Sequence, residues 1–574
     1  MRLVDIEDLK TLVETNIWQL YEKHAMYMRN KGYYTSTDRN FRFFNGNQWD
    51  NAIVDKNVEL IQINYIKPIV KYKVGVVTST NYAIVYNSDN FESQEFRTVA
   101  KQASDLLTKQ ASKVWEKNKL DYYLKKAVRK SAINGEIIAY WYWDEENSIP
   151  KLELKSKVDV MYGNENDEDI QNQPYILIKR RSTVLNAKEY ARSKGVSEEK
   201  LLNIHGDNFT QDESGDSSKD EVDDMTTIVT FLYKKDGTIH FSESVKYVTI
   251  TEDQDTGLAY YPVAHLNWED QEGNARGIGE VEQHIANQIE VNKTATRRAF
   301  IAKTIAYPYK VVNEDKIQNP EALKRVGATI RIKDGSAEDI SKYFRITNPG
   351  TISPDIANLQ NELISISREL AGAGDMATGQ IQPDEASGKA ILAVQRASEQ
   401  PLNEQSANVL QFIEDIGLII FDMLKTYVDE LTVVNTITDA ITGDVTEELI
   451  TIPRQILEEL KLSIKIDVTP KSAYDRYAQE SSIENLTQSQ LFLPQNQQLL
   501  EDYVSLLDDD STMPKSKLLE LIKRRKERSQ AIEQMEMQAQ QMKAQMEQQM
   551  ASQMDIEAIS QMGNQMMNQA TQNM

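Results

Sequence analysis

Apolar residues recur at spacings of three and four along the middle of the chain, a pattern typical of a helix with one buried face. The first such run predicts a helix over residues 277–303. Glycines stand at its start, and carboxylates in its first turn complement the positive end of the helix dipole. Its apolar positions are Ile278, Val281, Ile285 and Ile289. At 1.5 Å per residue this helix would span roughly 40 Å.

A second amphipathic run predicts a helix over residues 353–371. Ser353 is a suitable N-cap, and Pro354 suits the first helical position, where the amide hydrogen has no partner inside the helix. The apolar stripe comprises Ile356, Leu359, Leu363, Ile366 and Leu370. We expect this helix to return antiparallel to the first, since consecutive elements are usually neighbours in space.

Residues 304–352, between the two helices, contain three short β-like runs separated by glycines and prolines. The runs are Tyr307–Val312, Ala328–Lys333 and Tyr343–Ile346. A module of this size can hardly bury a core of its own. We therefore expect it to pack against other copies of itself.

A glycine-rich segment, residues 372–382, follows the second helix and predicts a mobile loop. Pro383 then marks the start of a long helix, which we expect to continue through residue 431. Pro401 lies inside this predicted helix and should kink it, because proline removes a backbone hydrogen bond.

The N-terminal half combines helices and strands. Helices are predicted over residues 1–30 and 92–134, with an aromatic turn over Phe41–Asp50 between them. Residues 206–224 are acidic and poor in large apolar side chains, which predicts a solvated loop. Strands are predicted at Ile137–Asp144, Lys151–Met161, Tyr175–Thr183, Thr226–Lys234, Thr238–Thr249 and Ala259–Leu266.

The C-terminal part begins with Val433–Val468, which predicts two strand pairs around a short helix at residues 455–460. From residue 473 the sequence favours polar helices, and residues 530–574 carry ten of the 18 methionines. Four of these fall at successive fours, on one helix face: Met542, Met546, Met550 and Met554. This region is either an ordered helical barrel or a frayed low-complexity tail, and the sequence leaves both open.

Length, charge and cysteine content narrow the class of protein. A chain of 574 residues is expected to fold as several structural units. Its formal charge of −23 argues against an ordinary nucleic-acid binder, because Lys and Arg supply most of the affinity for phosphates. The absence of cysteine excludes disulfides and thiolate metal sites. We expect neither a transmembrane helix nor a secretory signal, since the first ten residues are charged and amphipathic.

No catalytic constellation stands out. The run Ser387-Gly-Lys-Ala390 lacks the spacing of a phosphate-binding loop, because Pro383 replaces the first glycine and Ala390 replaces the Ser or Thr. Carboxylates are abundant, but nothing singles out an acid and base pair. We therefore expect no enzymatic activity, no cofactor and no metal. The histidines share no metal-ligand spacing: His24, His205, His240, His265 and His284.

Several short motifs, taken in their order along the chain, resemble the portal (connector) proteins of tailed bacteriophages. They are Phe44-Asn-Gly-Asn-Gln-Trp49 followed by Asn64, Gly277-Ile-Gly-Glu280 leading into the helix with Gln288 and Asn292, and Ala386-Ser-Gly-Lys-Ala390. The resemblance covers nearly the whole chain in element order. It implies a mostly helical α+β fold that assembles as a ring, with wing, stem, clip and crown parts.

The resemblance also assigns a part to each segment. Residues 1–276 would form the N-terminal α+β wing, 277–303 and 353–371 the two stem helices, 304–352 the clip, 372–382 the tunnel loop, 383–431 the long kinked wing helix, 432–472 wing strands, and 473–574 the crown with its C-terminal tail or barrel.

The implied function is that of a ring of twelve copies at one capsid vertex, through which double-stranded DNA passes during packaging and ejection. The ring would be a passive conduit, and net negative walls would keep DNA from adhering. Its location would be the virion, and the host cytoplasm during assembly. The abundant Asn, Gln and Ile suggest a short-tailed, crAss-like phage. The implied partners are the terminase motor, head-tail adaptor or ring proteins, the major capsid protein and scaffold or cargo proteins, with no membrane insertion.

Three groups of residues are candidates for function. A basic cluster on the first stem helix would face DNA or pair with Glu362 and Glu369: Lys293, Arg297, Arg298 and Lys303. The tunnel loop would line the channel at its narrowest point, or is a plain disordered connection: Gly372, Gly374, Asp375, Met376, Thr378, Gly379 and Gln380. Clip cations would dock the motor and adaptor, or form a solvated charged surface: Lys310, Lys316, Lys324, Arg325 and Arg331.

A rival hypothesis from another class is a non-channel interaction protein, such as a head-completion or scaffolding factor that binds partners through its Gln/Met-rich tail. It predicts monomers or dimers without a central hole, whereas the portal hypothesis predicts rings.

Overall fold

The described part of the chain falls into two compact units. The computed structural model describes residues 16–49, 59–88, 94–207, 224–306, 309–325, 329–333, 342, 344–347, 354–372, 400–438, 445–460, 462–470, 487, 497–506, 518–519, 521–526, 528–530, 532–543, 562–563 and 566–567. The first unit comprises residues 1–79, 83–429 and 458–467, and the second comprises residues 80–82, 430–457 and 468–574.

Helices and strands alternate irregularly along the chain. The helices are α1 (Ile17–Asn30), α2 (Tyr33–Asn45), α3 (Ile66–Val77), α4 (Gln94–Lys117), α5 (Leu120–Asn134), α6 (Val184–Ser193), α7 (Glu198–Leu201), α8 (Glu280–Ala306), α9 (Pro354–Leu370), α10 (Asn403–Tyr427), α11 (Arg454–Glu459) and α12 (Gln497–Ser505). The strands before α8 are β1 (Thr80–Ser88), β2 (Glu136–Asp144), β3 (Ile149–Ser156), β4 (Val160–Tyr162), β5 (Tyr175–Thr183), β6 (Met225–Lys235), β7 (Thr238–Val245), β8 (Val248–Asp255), β9 (Val263–Asn267), β10 (Glu269–Gln271) and β11 (Asn274–Ile278). Those after it are β12 (Tyr309–Val312), β13 (Phe344–Thr347), β14 (Glu430–Thr438), β15 (Val445–Pro453) and β16 (Leu462–Pro470).

The largest sheet is five-stranded and antiparallel, in the order β4-β5-β6-β7-β8. Side chains alternate between its faces, as the pleat requires. Val229 and Phe231 of β6 pack in one core cluster with Trp18 and Met28 of α1, whereas Ile228 packs in another with Ala187 of α6. The sheet therefore has helices against both faces.

A three-stranded sheet, in the order β3-β2-β9, lies beside helices α5 and α10. Its central strand β2 is almost continuously buried from Glu136 to Ala139, which is typical of a strand covered on both faces. Four two-stranded sheets complete the strand pairing: β1-β16, β10-β11, β12-β13 and β14-β15.

The second unit contains the β14–β15 hairpin, whose nine residue pairs include Leu431 opposite Ile452, both buried. Among its described residues, α12 buries Leu500 and Val504, and residues 532–543 are helical with exposed methionines. The choice between a barrel and a frayed tail stays a prediction, because Met546, Met550 and Met554 lie outside the described residues.

Most predicted elements of the first unit are confirmed. Strand β5 has the predicted bounds, and α9 lies within the predicted residues 353–371. The α+β mixture is also confirmed. Residues 1–15 and 208–223, and with them most of the predicted solvated loop, lie outside the described residues.

Several boundaries were wrong. The predicted helix 92–134 is two helices, because Lys119 adopts a positive φ of 53° between α4 and α5. The predicted strand Thr238–Thr249 covers the whole of β7, a turn and the first two residues of β8. The aromatic turn at Phe41–Asp50 was placed too early, since α2 continues to Asn45.

The long helices also differ from their predicted bounds. The helix predicted as the first stem helix begins at Glu280 and ends at Ala306, not 277–303, because Gly277 and Ile278 belong to strand β11. The helix predicted as the long wing helix ends at Tyr427 rather than 431, since β14 starts at Glu430. Pro401 lies in a 3-10 turn immediately before α10, and the kink stays a prediction because residues 383–399 lie outside the described ones.

Candidate channel wall

Helices α8 and α9 pack side by side in antiparallel orientation, as their sequence patterns predict. Near the start of α8, Asn287 Nδ2 donates to Ser367 Oγ at 3.4 Å. Eleven residues further on, Arg298 Nη1 donates to Gln360 Oε1 at 3.1 Å. The residue numbers rise on one helix and fall on the other, so the pair forms a two-helix wall.

Three glycines allow the chain to come unusually close to itself at the root of α8. A Cβ on Gly135, whose φ is +98°, would lie 2.3 Å from the carbonyl oxygen of Gly277. A Cβ on Gly279 would lie 2.7 Å from the carbonyl oxygen of Ile133. No side chain fits at these distances, so the glycines fix where α8 leaves the body of the unit.

A buried ion-pair network lies directly before this root. Arg276 is almost fully buried and pairs with Glu136, with Glu165 at 2.6 Å, and with the carbonyl oxygens of Lys157 at 3.1 Å and Val160 at 2.9 Å. Burial alone would raise the pKa of Glu136, but Arg276, His265 and Lys157 together outweigh it and lower that pKa to about 2. The network ties β2, β11 and the loop before β4 together at one point.

The first turn of α8 carries a second buried carboxylate. Glu280 accepts from Lys73 Nζ at 2.7 Å and from the Trp268 indole at 3.2 Å, and its other contact is His284 Nε2 at 2.9 Å. Burial opposes ionisation of Glu280, but the contacts with His284 and Lys73 lower its pKa. The carboxylate also lies where the helix dipole favours negative charge.

A ladder of polar side chains then fastens α8 to the extended segment before α3. The backbone amide of Tyr65 donates to Gln288 Oε1 at 3.1 Å. The amide of Ile63 donates to Asn292 Oδ1 at 2.9 Å, and that of Ile61 donates to Thr296 Oγ1 at 3.0 Å. Four helical residues advance about 6 Å, and two residues of extended chain advance about 6.6 Å, so the two repeats match. The sequence predicted Gln288 and Asn292 only as part of a family motif. Their spacing of four residues, on a helix face that is buried, was the signal that could have indicated this ladder.

Three members of the predicted basic cluster lie beside carboxylates on the surface, and the fourth contacts α9. Arg297 is 65% exposed and reaches Glu290 of its own helix at 3.2 Å, and Lys293 lies 3.9 Å from the same carboxylate. Lys303 lies 3.9 Å from Glu59, and Arg298 turns to Gln360. Within the described residues none of the four pairs with Glu362 or Glu369, so that alternative was wrong for a single copy of the chain.

Two members of the apolar stripe of α9 are exposed. Gln360 and Ser367 are buried toward α8, whereas Leu359 is 48% exposed and Ile366 is 43% exposed. Large apolar side chains repeating at this spacing on a free helix face commonly mark a contact with another molecule.

The described residues between α8 and α9 form one strand pair and one isolated bridge. β12 and β13 pair antiparallel, with Tyr309 opposite Thr347. Of the predicted run Ala328–Lys333, residues 329–333 are described, and Ile332 forms an isolated bridge with Ile317. Of the predicted docking cations, Arg325 and Arg331 are exposed and Lys316 is half-buried. The side chains of Lys310 and Lys324 lie outside the described residues.

The predicted tunnel loop begins where α9 ends. Gly372 adopts a φ of +67°, and its amide donates to the carbonyl oxygen of Glu369 at 2.9 Å. This left-handed glycine closes the helix, as its lack of a side chain allows. The other candidates lie outside the described residues: Gly374, Asp375, Met376, Thr378, Gly379 and Gln380.

Two searches of the described residues bear on other functions. No group of three or more His, Asp or Glu side chains there is arranged to hold a metal ion. No helix there is both long and apolar enough to cross a bilayer.

Comparison with protein families gives one match. The family model described as Phage P22-like portal protein matches residues 248–574, which is more than half of the chain and includes α8, the module after it, α9 and the C-terminal region. Comparison with curated proteins gives no match.

Proposed function

The chain belongs to the P22-like portal family of phage proteins, and on this premise we propose that copies of it form the ring-shaped channel at one capsid vertex, through which double-stranded DNA is packaged and ejected. It is a bacteriophage portal protein, a structural component of the virion that takes part in genome packaging. The observation that carries the proposal is the family match, because it spans both wall helices and the module between them.

Ring formation is supported by apolar surface that one copy leaves uncovered. Leu359 and Ile366 repeat along the outer face of α9, and Val311 of β12 is also exposed. Burying one such side chain fully is worth about 1.5–3 kcal/mol, so neighbouring copies gain free energy by covering it. Twelve copies, the number expected for portals, would multiply that gain around the ring.

DNA passage is proposed to depend on a few exposed cations in an otherwise acidic chain. Lys293, Arg297 and Lys303 stand on the outer surface of α8 and would guide the phosphate backbone, while the net charge of −23 prevents tight adhesion. The tunnel loop, residues 372–382, would supply adjustable contacts at the narrowest point. ATP hydrolysis would belong to the terminase, so the ring would be a passive conduit.

The module between the wall helices is proposed as the docking platform. Its cations, including Arg325 and Arg331, would bind first the terminase and later the tail adaptor. The wing and crown would contact the major capsid protein and scaffold or cargo proteins, in the host cytoplasm during assembly and then in the virion.

The direct test is negative-stain electron microscopy combined with native mass spectrometry of the full-length chain. Rings with a central hole and a mass near twelve subunits are the expected result. A persistent monomer or dimer over a range of salt and protein concentrations would refute the channel.

A second test concerns the loop. Deleting residues 372–382 should leave the ring intact and reduce the DNA content of assembled particles, because the deletion removes channel contacts but no wall contacts. Rings with unchanged DNA content would reject the tunnel-loop assignment and leave the channel standing.

A further inference from the structure

A cavity of about 480 Å³ separates the two main sheets of the first unit. Strands β2 and β3 form one wall and β5, β6 and β7 the other, with the C-terminal end of α10 and helix α6 at its sides. Its volume lies within the range of about 300–1,000 Å³ that is usual for ligand pockets.

The walls are polar where a packed sandwich core would be apolar. Thr230 and Glu243 are paired across β6 and β7, and Tyr140 and Glu153 across β2 and β3. Glu243 accepts from the Tyr190 hydroxyl at 2.6 Å and from the Thr230 hydroxyl at 3.0 Å. Facing sheets normally interdigitate apolar side chains. The cavity is therefore a built space with organised hydrogen bonds rather than an unfilled core.

Aromatic rings line the side of the cavity formed by β2 and α10. The rings of Trp143 and Tyr427 lie 5.2 Å apart at an interplanar angle of 35°, and those of Tyr140 and Tyr142 lie 6.4 Å apart at 30°. Tyr142 is 41% exposed and Tyr427 37% exposed. Exposed amphipathic rings of this kind are concentrated where proteins bind ligands.

The lining carries charges of both signs, with one carboxylate more than cations. The carboxylates are Glu145, Glu153, Glu243 and Asp255, and the cations are Lys155, Arg180 and Lys194. Lys155 pairs with Glu153 at 2.7 Å, and Arg180 and Lys194 lie 5.0 and 5.9 Å from the Tyr190 ring centroid. Asp255 lies 3.9 Å from His240, whereas Glu145 is exposed and has no ion pair within the described chain. Glu145 is therefore the carboxylate that is open to a positive group.

We propose that this cleft binds an extended, proline-containing peptide segment with a flanking Lys or Arg, presented by a protein that assembles with this chain. Prolyl segments are stiff and dock on aromatic-lined grooves at low entropic cost, and Glu145 would pair with the cation. A phosphate-bearing ligand would lie beside the unpaired carboxylate of Glu145, which disfavours it. A sugar would stack on the same rings, so carbohydrate binding is one outcome of the test.

None of the lining residues belongs to α8 or α9, so the site does not depend on the proposed channel. The test is isothermal titration of the full-length chain with a ten-residue peptide made of two Pro-Pro-Leu-Pro-Arg repeats. We expect a Kd on the order of 10–100 µM. Replacing the prolines by serine or the arginines by glutamate should weaken binding at least about tenfold.

Variants of the cleft sharpen the test. Tyr142→Ala should weaken binding at least about tenfold, because it removes an exposed ring from the wall. Glu145→Lys should weaken it about three- to tenfold and reduce its salt dependence. The matched control is Tyr122→Ala, another exposed tyrosine outside the lining residues, which should change nothing.

Three results would overturn the proposal. They are no saturable binding up to about 1 mM peptide, equal affinity for the serine peptide, and unchanged binding by Tyr142→Ala. Binding of maltohexaose in place of the peptide would also overturn it and would assign the cleft to carbohydrate.

Discussion

The two halves of helix α8 belong to one continuous element but are held in different ways. The first half is buried and fixed by Glu280, Gln288 and Asn292, each of which bonds to another part of the unit. The second half exposes Arg297 and Lys303, and the partner helix α9 exposes Leu359 and Ile366. The described residues of one copy thus fix the start of the wall and leave its far part exposed.

The largest effect should come from breaking the root at Arg276. Arg276→Met removes the guanidinium partner of the buried Glu136 and leaves it only the His265 ring at 3.1 Å, which should cost about 3–5 kcal/mol in the free energy of unfolding. Urea denaturation followed by circular dichroism measures the loss. Arg297→Met is the matched control, and it should change stability by less than about 0.5 kcal/mol, because its ion pair is exposed. Equal losses of stability in the two variants would show that the buried start of α8 is held no more firmly than its exposed second half.

The glycine contact should give the next largest effect. Gly135→Ala places a Cβ 2.3 Å from the Gly277 carbonyl oxygen and requires an unfavourable φ, so we expect a loss of about 3 kcal/mol. Gly273→Ala is the control: its φ is +70° but nothing lies within 4 Å, so only the backbone term of about 1 kcal/mol remains. If the two variants lose the same stability, close packing at the root is not what matters.

Acidification should destabilise the buried ion-pair network at the root of α8. The pKa of Glu136 is about 2 in the folded chain, below the usual 4.5, so its contribution is present above pH 4.5 and is lost as the pH falls toward 2. The loss attributable to this group is on the order of 3 kcal/mol. Urea midpoints measured between pH 5 and pH 2.5 test this. Glu136→Gln should be less stable at pH 5 and should show a shallower decline; an identical decline would assign the acid sensitivity to other groups.

The smallest effect on a single copy should come from the outer face of the wall. Leu359→Ser combined with Ile366→Ser should change the stability of the unit by about 0.5 kcal/mol or less, since both side chains are already exposed. The same change should abolish or strongly reduce rings in native mass spectrometry. Asn361→Ser on the same helix is the control and should assemble normally. Normal rings in the double variant would mean that this stripe is not an interface.

Local patterns predicted the elements whose signals are local. The apolar start of Tyr175–Thr183, after Pro174, and the Pro354 start of α9 gave β5 and α9 nearly residue for residue. No element was assigned to Ile66–Val77, a run rich in β-branched residues, yet it forms helix α3. Contacts with α5 and α8 override its weak helix propensity.

The anchoring of the wall was beyond local pattern. Arg276 meets Glu136 and Glu165 at sequence separations of 140 and 111 residues, and no spacing rule links them. Gly277 was interpreted as a helix start, because the sequence does not reveal its tertiary contact with Gly135. The stripe of α9 was visible from periodicity, but periodicity does not say which molecule covers a stripe. The tunnel loop lies outside the described residues and stays a prediction.

The pairing of β1 with β16 has a consequence for synthesis. β1 ends at Ser88 and its partner strand begins at Leu462, so the ribosome adds more than 370 residues between them. At 5–20 residues per second this takes roughly 20–75 s. During that time β1, with its buried Tyr82, Ile84 and Tyr86, is a solitary edge open to mispairing. The nascent chain should therefore depend on chaperones until its last fifth emerges, and truncation before Leu462 should give aggregates rather than a shorter folded protein.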